Sequence, residues 1–160
     1  MSKRLQHFEQ APDLGKIMIE YGQLIKSKVK PKLLHLINIR ASQLNGCAFC
    51  TDLHAKQAKI DGESELRMLD LPVWRKSNLF SKQERAVLAL TEELTQIPGG
   101  HDLSDEVYEQ VRAEFSDKEF AALVHAVACI NVWNRLNSVS CTEPGAYDKM
   151  MGVENSGLKA

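Results

Sequence analysis

Three residues of this 160-residue chain have types and spacing that suit redox chemistry. Cys47, Cys50 and His54 stand at positions i, i+3 and i+7. In an α-helix their side chains point within about 60° of one another, so all three share one face. The Asn45-Gly46 pair predicts a helix break there and a new helix beginning at or near Cys47. The free N–H groups and the positive dipole end of that helix would stabilise a thiolate.

A pair of thiols in this setting predicts thiol–disulfide exchange or peroxide reduction. Lowering the pKa of a thiol from about 8.5 to about 7 raises its thiolate fraction at neutral pH to about half. His54 lies one turn beyond Cys50, where it can accept or share the thiol proton. Once one thiol has been oxidised, the other is close enough to close a disulfide.

Two other interpretations of these residues stay open. The two cysteines are also consistent with small side chains on a helix face that packs in the core. Alternatively, two thiolates and the His54 imidazole supply three of the four ligands of a tetrahedral zinc site. The fourth ligand would then be one of His35, Cys129 and Cys141.

The composition excludes several classes of partner. Lysine and arginine total 20 and aspartate and glutamate total 21, so the net charge of −1 gives no field that attracts nucleic acid or an anionic membrane. No apolar run is long enough to span a bilayer, and residues 1–10 do not resemble a secretory signal. We therefore expect a cytoplasmic protein, in which four cysteines are not needed as structural disulfides.

The length and the spacing of apolar residues predict one all-α domain over residues 1–160, with a loose tail from about 148 to 160. Two Ser-x-x-Glu sequences, at Ser81 and Ser116, predict capping boxes. The long helix that follows Ser116 is apolar nearly all round, which is typical of a bundle centre or a subunit interface. We expect about seven helices, near residues 13–25, 31–44, 47–61, 63–69, 82–96, 102–115 and 117–137.

Three segments together resemble the alkylhydroperoxidase D (AhpD)-like branch of the carboxymuconolactone decarboxylase superfamily. Residues 36–59 carry its S-Q-x-N-x-C-x-x-C-x-x-x-H pattern, and residues 84–95 and 130–135 are similar to two further segments of that branch. The matching positions of the pattern are Ser42, Gln43, Asn45, Cys47, Cys50 and His54.

The resemblance implies an all-α fold that assembles as a trimer or hexamer and works without haem, flavin or metal. It implies antioxidant defence by a peroxidase or disulfide reductase that acts on an organic hydroperoxide or a disulfide. In this branch Cys50 would attack the hydroperoxide, Cys47 would resolve the sulfenic acid, and His54 would relay protons. A dithiol, such as a lipoylated protein, would then restore the pair.

His35 departs from the family pattern, because relatives usually have a glutamate twelve residues before the first cysteine. A second imidazole can take part in a proton relay, so His35 joins the candidate site. It cannot supply a permanent negative charge. We therefore expect either a weakened activity or a carboxylate from elsewhere, with Glu84 and Glu92 in a family-like segment.

The remaining candidates have less specific roles. Four residues of the long helix are expected to pack and to form hydrogen bonds: Asn131, Trp133, Asn134 and Arg135. His125 and Cys129 are expected in the core or at the border of the site, and no partner is predicted for Cys141, His7 or His101. A lactone decarboxylase is disfavoured, since members with that activity generally lack the C-x-x-C. A scaffold with a decayed site remains an alternative.

Overall fold

A computed structural model describes residues 4–97 and 102–158 of the chain. Within them all regular secondary structure is helical, which confirms the predicted fold class. The predicted helix stop at Pro98-Gly99-Gly100 and the residue His101 lie outside the described residues. No helix in the described part has the length and apolar character that crossing a membrane requires.

The described helices number nine, with a 3-10 turn at Leu71–Val73 after the fifth. They are α1 (His7–Gln10), α2 (Pro12–Lys26), α3 (Pro31–Leu44), α4 (Ala48–Ile60), α5 (Glu65–Asp70), α6 (Lys82–Thr95), α7 (Asp105–Glu114), α8 (Asp117–Ser140) and α9 (Asp148–Met151). The two that the sequence did not indicate, α1 and α9, have four residues each, too few to show a helical period.

The centre of the bundle is α3, which packs against α4, α6 and α8. Half of its 14 residues are buried, including Ile37 and Ala41 at 0% exposure. The apolar helix α8 also packs on α3, but it leaves Val124 37% and Val132 39% exposed. Apolar character all round α8 therefore reflects an inner face in the core and an outer face on the surface of the single chain.

Both predicted capping boxes are present. The Ser81 hydroxyl accepts the N–H of Glu84 at the start of α6, and the Glu84 carboxylate accepts the N–H of Ser81. Ser116 and Glu119 do the same at the start of α8. Each such cap stabilises a helix by about 1 kcal/mol, so these local signals fix where two core helices begin.

The turn from α3 to α4 has the form of a Schellman motif. The N–H of Gly46 donates to the carbonyl of Gln43 at 3.2 Å, and that of Cys47 donates to the carbonyl of Ser42 at 3.0 Å. Gly46 has φ +65°, a left-handed conformation that glycine adopts without steric cost. The motif ends α3 and leaves Cys47 in an extended conformation as the N-cap of α4.

The residues that follow α8 return to cover α4. We refer to residues 144–158 as the C-terminal segment; they include α9. The sequence predicts a loose tail from about residue 148, but Val153 is only 2% exposed and Ser156 7%. The few apolar residues of this short segment show no helical period, so its packing was not apparent from the sequence.

Candidate functional site

The two cysteines of the C-x-x-C lie at the N-terminus of α4, as predicted. They form a disulfide in this structure, with their Cα atoms 5.3 Å apart. The backbone N–H of Cys50 donates to the Sγ atom of Cys47 at 3.3 Å. A backbone donor at a helix N-terminus stabilises a sulfur that carries negative charge. The arrangement therefore suits a pair that alternates between dithiol and disulfide.

The two sulfurs have different surroundings. Cys50 is 2% exposed and lines an apolar cavity of about 620 Å³, which His54 also lines. Cys47 is half-buried and does not belong to the lining of that cavity. A molecule in the cavity therefore meets Cys50, whereas Cys47 is the more exposed residue of the pair.

His54 is a neutral base at physiological pH. Its Nδ1 atom lies 2.9 Å from Oε1 of Gln57. An amide oxygen only accepts, so Nδ1 carries the proton and Nε2 keeps its lone pair. Burial lowers the pKa of His54 to about 4; the hydrogen bond to Gln57 opposes this change, and the neighbouring His35 and Lys26 reinforce it.

His35 has a carboxylate partner that sequence analysis did not identify. Its Nε2 atom lies 2.8 Å from Oδ2 of Asp61, the residue that ends α4. Both side chains line a second cavity of about 310 Å³, next to Gln57. Asp61 follows His54 by seven residues and so shares the face of α4 that carries the cysteines. That spacing was the signal in the sequence that could have found it.

The two glutamates suggested as substitutes for the family glutamate serve other contacts. Glu84 accepts hydrogen bonds from Arg67 at 2.7 Å and from the N–H of Ser81. Glu92 binds Arg40 and the indole N–H of Trp74, at 2.7 Å and 2.8 Å, and also pairs with Arg75. Their pKa values are lowered because these cationic and N–H partners outweigh the effect of burial. Neither carboxylate joins the histidines.

Hydrogen bonds connect the family-like residues of α8 to the turn before Cys47. The amide N–H2 of Asn45 donates to Oδ1 of Asn131 at 3.0 Å and to Oδ1 of Asn134 at 2.8 Å. Asn134 in turn donates to the hydroxyl of Ser42 at 3.0 Å, and Arg135 donates to the carbonyl of Asn131 at 2.8 Å. The expected hydrogen-bonding role is confirmed for these asparagines and Arg135. Their function is to hold the cysteine-bearing turn against α8.

Trp133 and Cys129, also on α8, line the large cavity. Cys129 is 7% exposed, and burial raises the pKa of its thiol although a hydrogen bond with Trp133 opposes this. His125, one turn earlier, is exposed and lies with its Nδ1 atom 2.6 Å from the Tyr21 hydroxyl. Cys129 therefore borders the site, whereas His125 does not line the cavity.

The other unassigned residues lie away from the cysteine pair. Cys141 is exposed, with φ 49° at the end of α8. The ring of His7 contacts Phe8 with the centroids 4.4 Å apart, and burial lowers its pKa. Within residues 4–97 and 102–158, no three histidine, cysteine or acidic side chains are grouped so as to hold a metal ion. The zinc interpretation therefore gains no support from the geometry.

The C-terminal segment forms the outer wall of the site. Val153 packs in a cluster with Phe49, Cys50 and Leu53. Tyr147 lies edge-on to Phe49, with the ring centroids 5.7 Å apart. These contacts place the C-terminal segment against Cys50 and its neighbours on α4.

An ion cluster anchors the C-terminal segment to α4. The buried Lys56 ammonium donates to Oδ2 of Asp52 at 2.8 Å and to Oδ2 of Asp148 at 2.7 Å. Asp52 also accepts the N–H of Gly145 at 3.0 Å. Two charged residues on the helix that carries the cysteines thus fix the position of their cover.

Comparison with known proteins supports the same fold and family. Residues 12–93 match the family model described as the carboxymuconolactone decarboxylase family. An uncharacterised Bacillus subtilis (strain 168) protein, YdfG, is 38% identical over 138 residues, which cover 86% of this chain and 93% of YdfG.

Two solved structures extend the comparison. A protein of unknown function from Agrobacterium tumefaciens, provisionally assigned as the antioxidant defence protein AhpD, superposes with a TM-score of 0.83 at 33% identity. The match covers 89% of this chain and 98% of that protein. The debrominase Bmp8 has a TM-score of 0.78 at 18% identity, over 90% of this chain and 77% of its own, and shares the fold.

Proposed function

The chain belongs to the carboxymuconolactone decarboxylase family as an AhpD-like member, and on that premise we propose that it is a thiol-dependent hydroperoxidase acting in antioxidant defence. The observation that carries the proposal is that the two cysteines are placed differently relative to the large cavity. Cys50 and His54 line one cavity, while Cys47 stays outside that lining and within disulfide distance of Cys50. One helix, α4, thereby brings a base and both thiols to a cavity that could hold the substrate.

The proposed cycle begins with the reduced pair. His54 takes the thiol proton of Cys50 at Nε2, and the resulting thiolate attacks the terminal oxygen of the hydroperoxide. A sulfur–oxygen bond forms, the oxygen–oxygen bond breaks, and the alkoxide leaves. His54 returns the proton to the alkoxide, so the product is an alcohol and Cys50 becomes a sulfenic acid.

The second half of the cycle restores the thiols. The Cys47 thiol displaces the sulfenic oxygen as water and forms the Cys47–Cys50 disulfide. An external dithiol, of which a lipoylated protein is one type, then reduces the disulfide in two exchange steps and becomes a disulfide itself. Because Cys47 is the more exposed residue of the pair, its sulfur is the one that the dithiol attacks first in this proposal.

In this proposal the His35–Asp61 pair serves as the outer part of the proton relay. The Asp61 carboxylate supplies the negative charge that the family glutamate would have provided. It does so through His35, so the charge is further from His54 by one side chain. Gln57 accepts from His54 and also lines the cavity that His35 and Asp61 line. The relay thus keeps a carboxylate even though His35 occupies the usual glutamate position.

The test is peroxide consumption by the reduced protein. With tert-butyl hydroperoxide, one equivalent should be reduced to the alcohol and two free thiols per chain should be lost. Cys50→Ser should abolish the reaction, and Cys47→Ser should stop it after one turnover with a sulfenic acid on Cys50. Cys141→Ser is the matched control, since that thiol is exposed and outside the site. Turnover by Cys50→Ser at the unmutated rate would refute the proposal.

A further inference from the structure

We propose that the large cavity selects hydroperoxides with a long apolar body and a single carboxylate, the class of the long-chain fatty-acid hydroperoxides, and that Lys26 binds the carboxylate. This inference rests on the proposed function, because it assigns the substrate class of the same site. It is carried by the size of the cavity, the character of its lining and the charge at its edge.

The size and lining of the cavity indicate an apolar substrate body. Its volume of about 620 Å³ lies within the range of sites that enclose ligands of drug size. Aromatic and sulfur-containing side chains contribute much of the wall, among them Phe49, Trp133, Met18, Met150 and Met151. Flexible methionines adapt to chains of differing shape. A small hydroperoxide would leave most of this wall without contacts.

The charge distribution indicates an anionic end on the substrate. Among the described residues that line the cavity, Lys26 alone carries a formal charge at neutral pH, and no aspartate or glutamate lines it. Lys26 is the last residue of α2 and also borders the second cavity. Its positive charge acts on His54, whose pKa it helps to lower, so the ammonium lies within electrostatic range of the reacting groups.

The position of Cys50 explains why the substrate needs both an apolar body and a carboxylate. The sulfur belongs to a residue that is 2% exposed, so a reactive group must be carried into the cavity by an apolar chain. In a fatty-acid hydroperoxide the peroxide group lies along the chain, between the carboxylate and an apolar tail. A carboxylate held at Lys26 would leave the peroxide group inside the cavity, where Cys50 and His54 line the wall.

The reaction balances as in the proposed cycle. The two electrons come from the cysteine pair, the oxygen–oxygen bond of the fatty-acid hydroperoxide breaks, and the products are the hydroxy fatty acid and water. The carboxylate keeps its charge throughout, so the contact with Lys26 contributes to binding and orientation alone.

The experiment compares linoleic acid hydroperoxide with its methyl ester, below the concentration at which either forms micelles. The two substrates share the apolar body and the peroxide group and differ in charge. We expect kcat/KM to favour the acid by about fivefold in the unmutated protein, the size expected for one partly exposed ion pair. Lys26→Met should bring this ratio close to one, and raising the salt concentration should reduce it.

Lys28→Met is the matched control. Lys28 is exposed, carries the same charge two residues away and does not line the cavity, so this variant should keep the preference for the acid. Equal rates for acid and ester in the unmutated protein would overturn the inference, and so would loss of the preference in both variants.

A binding measurement separates this inference from the proposed function. Calorimetric titration of the disulfide form with linoleate and with linoleyl alcohol requires no turnover. Linoleate should bind about fivefold more tightly, and Lys26→Met should remove the difference. If the protein reduced no hydroperoxide at all but showed this binding pattern, the proposed function would fail while the carboxylate site stood. Equal binding of the two ligands would count against the site itself.

Discussion

At the scale of single residues, the histidine that stands at the position of the family glutamate has a carboxylate partner, Asp61, at the end of α4. The imidazole at the glutamate position reaches a carboxylate 2.8 Å away, so the negative charge has moved outward by one side chain instead of being lost. The predicted weakening of the activity therefore depends on how well Asp61 substitutes. The carboxylate that contacts His35 is Asp61, whereas Glu84 and Glu92 have other partners.

The role of Asp61 can be tested by removing its charge. Asp61→Asn should lower the turnover number with tert-butyl hydroperoxide by about tenfold, since a group that acts through another contributes less than the 10²–10⁴ of a direct acid or base. KM should change little. Asp61→Glu should recover much of the rate, whereas Asp13→Asn, on the exposed start of α2, should have no effect. A rise in KM for Asp61→Asn without a fall in its turnover number would contradict the relay.

The depressed pKa of His54 predicts an acid-sensitive fold. In the unfolded chain the imidazole has a pKa of about 6.5, and in the folded disulfide form its pKa is about 4. The unfolded state therefore binds a proton first as the pH falls, and the folded state loses stability between these two values. The contribution of His54 is fully present above about 6.5 and is reduced by up to about 3 kcal/mol near pH 4.

Urea unfolding of the oxidised protein between pH 7 and pH 4 measures this loss. His54→Gln should unfold with a shallower dependence of its free energy of unfolding on pH over the same interval. Observation of the His54 ring by NMR gives the pKa directly. A value near 6.5 in the folded protein would show that the ring is better solvated than the structure indicates.

At the scale of elements, α4 carries most of the polar and sulfur-containing residues assigned to the site. One face carries both cysteines, His54, Gln57 and, at its end, Asp61, while Asp52 and Lys56 anchor the cover. The remaining elements hold this helix in place: the Schellman turn sets where it begins, and the asparagines of α8 bind that turn. A substitution that shifts α4 would therefore disturb the thiols, the relay and the cover together.

The anchor of the C-terminal segment gives the prediction at this scale. Lys56→Met leaves Asp52 and Asp148 facing each other without the ammonium that joins them. We expect this substitution to destabilise the attached position of residues 144–153 by about 1–3 kcal/mol, because partly buried carboxylates lose their partner. The segment should therefore detach locally more often. In the reduced protein, a thiol reagent should then label Cys50 faster.

Hydrogen exchange of residues 144–153 and the labelling rate of Cys50 are the measurements. Lys59→Met is the control, since Lys59 pairs with the exposed Glu65 at 2.8 Å and does not contact the segment. Unchanged exchange in Lys56→Met would mean that Val153 and Tyr147 hold the cover without help from the ion cluster.

At the scale of the whole molecule, the outer face of α8 gives grounds for proposing a homo-oligomer, trimeric or hexameric as the family resemblance implies. On one side of the helix, exposed apolar side chains lie beside the exposed His125 and Arg135; the apolar ones are Ala121, Val124, Ala128, Val132 and Val139. Leu14 and Ile17 on α2 add further exposed apolar surface, at 62% and 61%. Several exposed apolar side chains grouped on one helix face are a common feature of subunit interfaces.

Light scattering coupled to size-exclusion chromatography tests the assembly. The mass should be three or six times that of the chain, and a double substitution of Val124→Asp and Val132→Asp should shift it toward the single chain. Val73→Asp, which introduces the same charge at an exposed position in the 3-10 turn, should leave the mass unchanged. A mass equal to that of one chain for the unmutated protein would contradict the proposed homo-oligomer.

The features that could be predicted from the sequence are those that neighbouring residues determine. The helix start at Cys47, the two capping boxes and the shared face of Cys47, Cys50 and His54 depend on spacings of a few residues, and the structure confirms them. The cover by Val153 depends on contacts between residues that are distant in the chain. The anchoring of Lys56 by Asp148 is of the same kind, and no local pattern indicates either.

The distance along the chain between the cysteines and their cover also orders events during synthesis. Residues 144–153 leave the ribosome long after α4 has emerged, so the newly made dithiol exists for a time without Val153 and Tyr147 against it. During that interval the pair is open to any thiol or oxidant in its surroundings. The cover over Cys50 is consequently completed late, when residues 144–153 dock on α4, and a translation product that stops after α8 would carry the two cysteines without it.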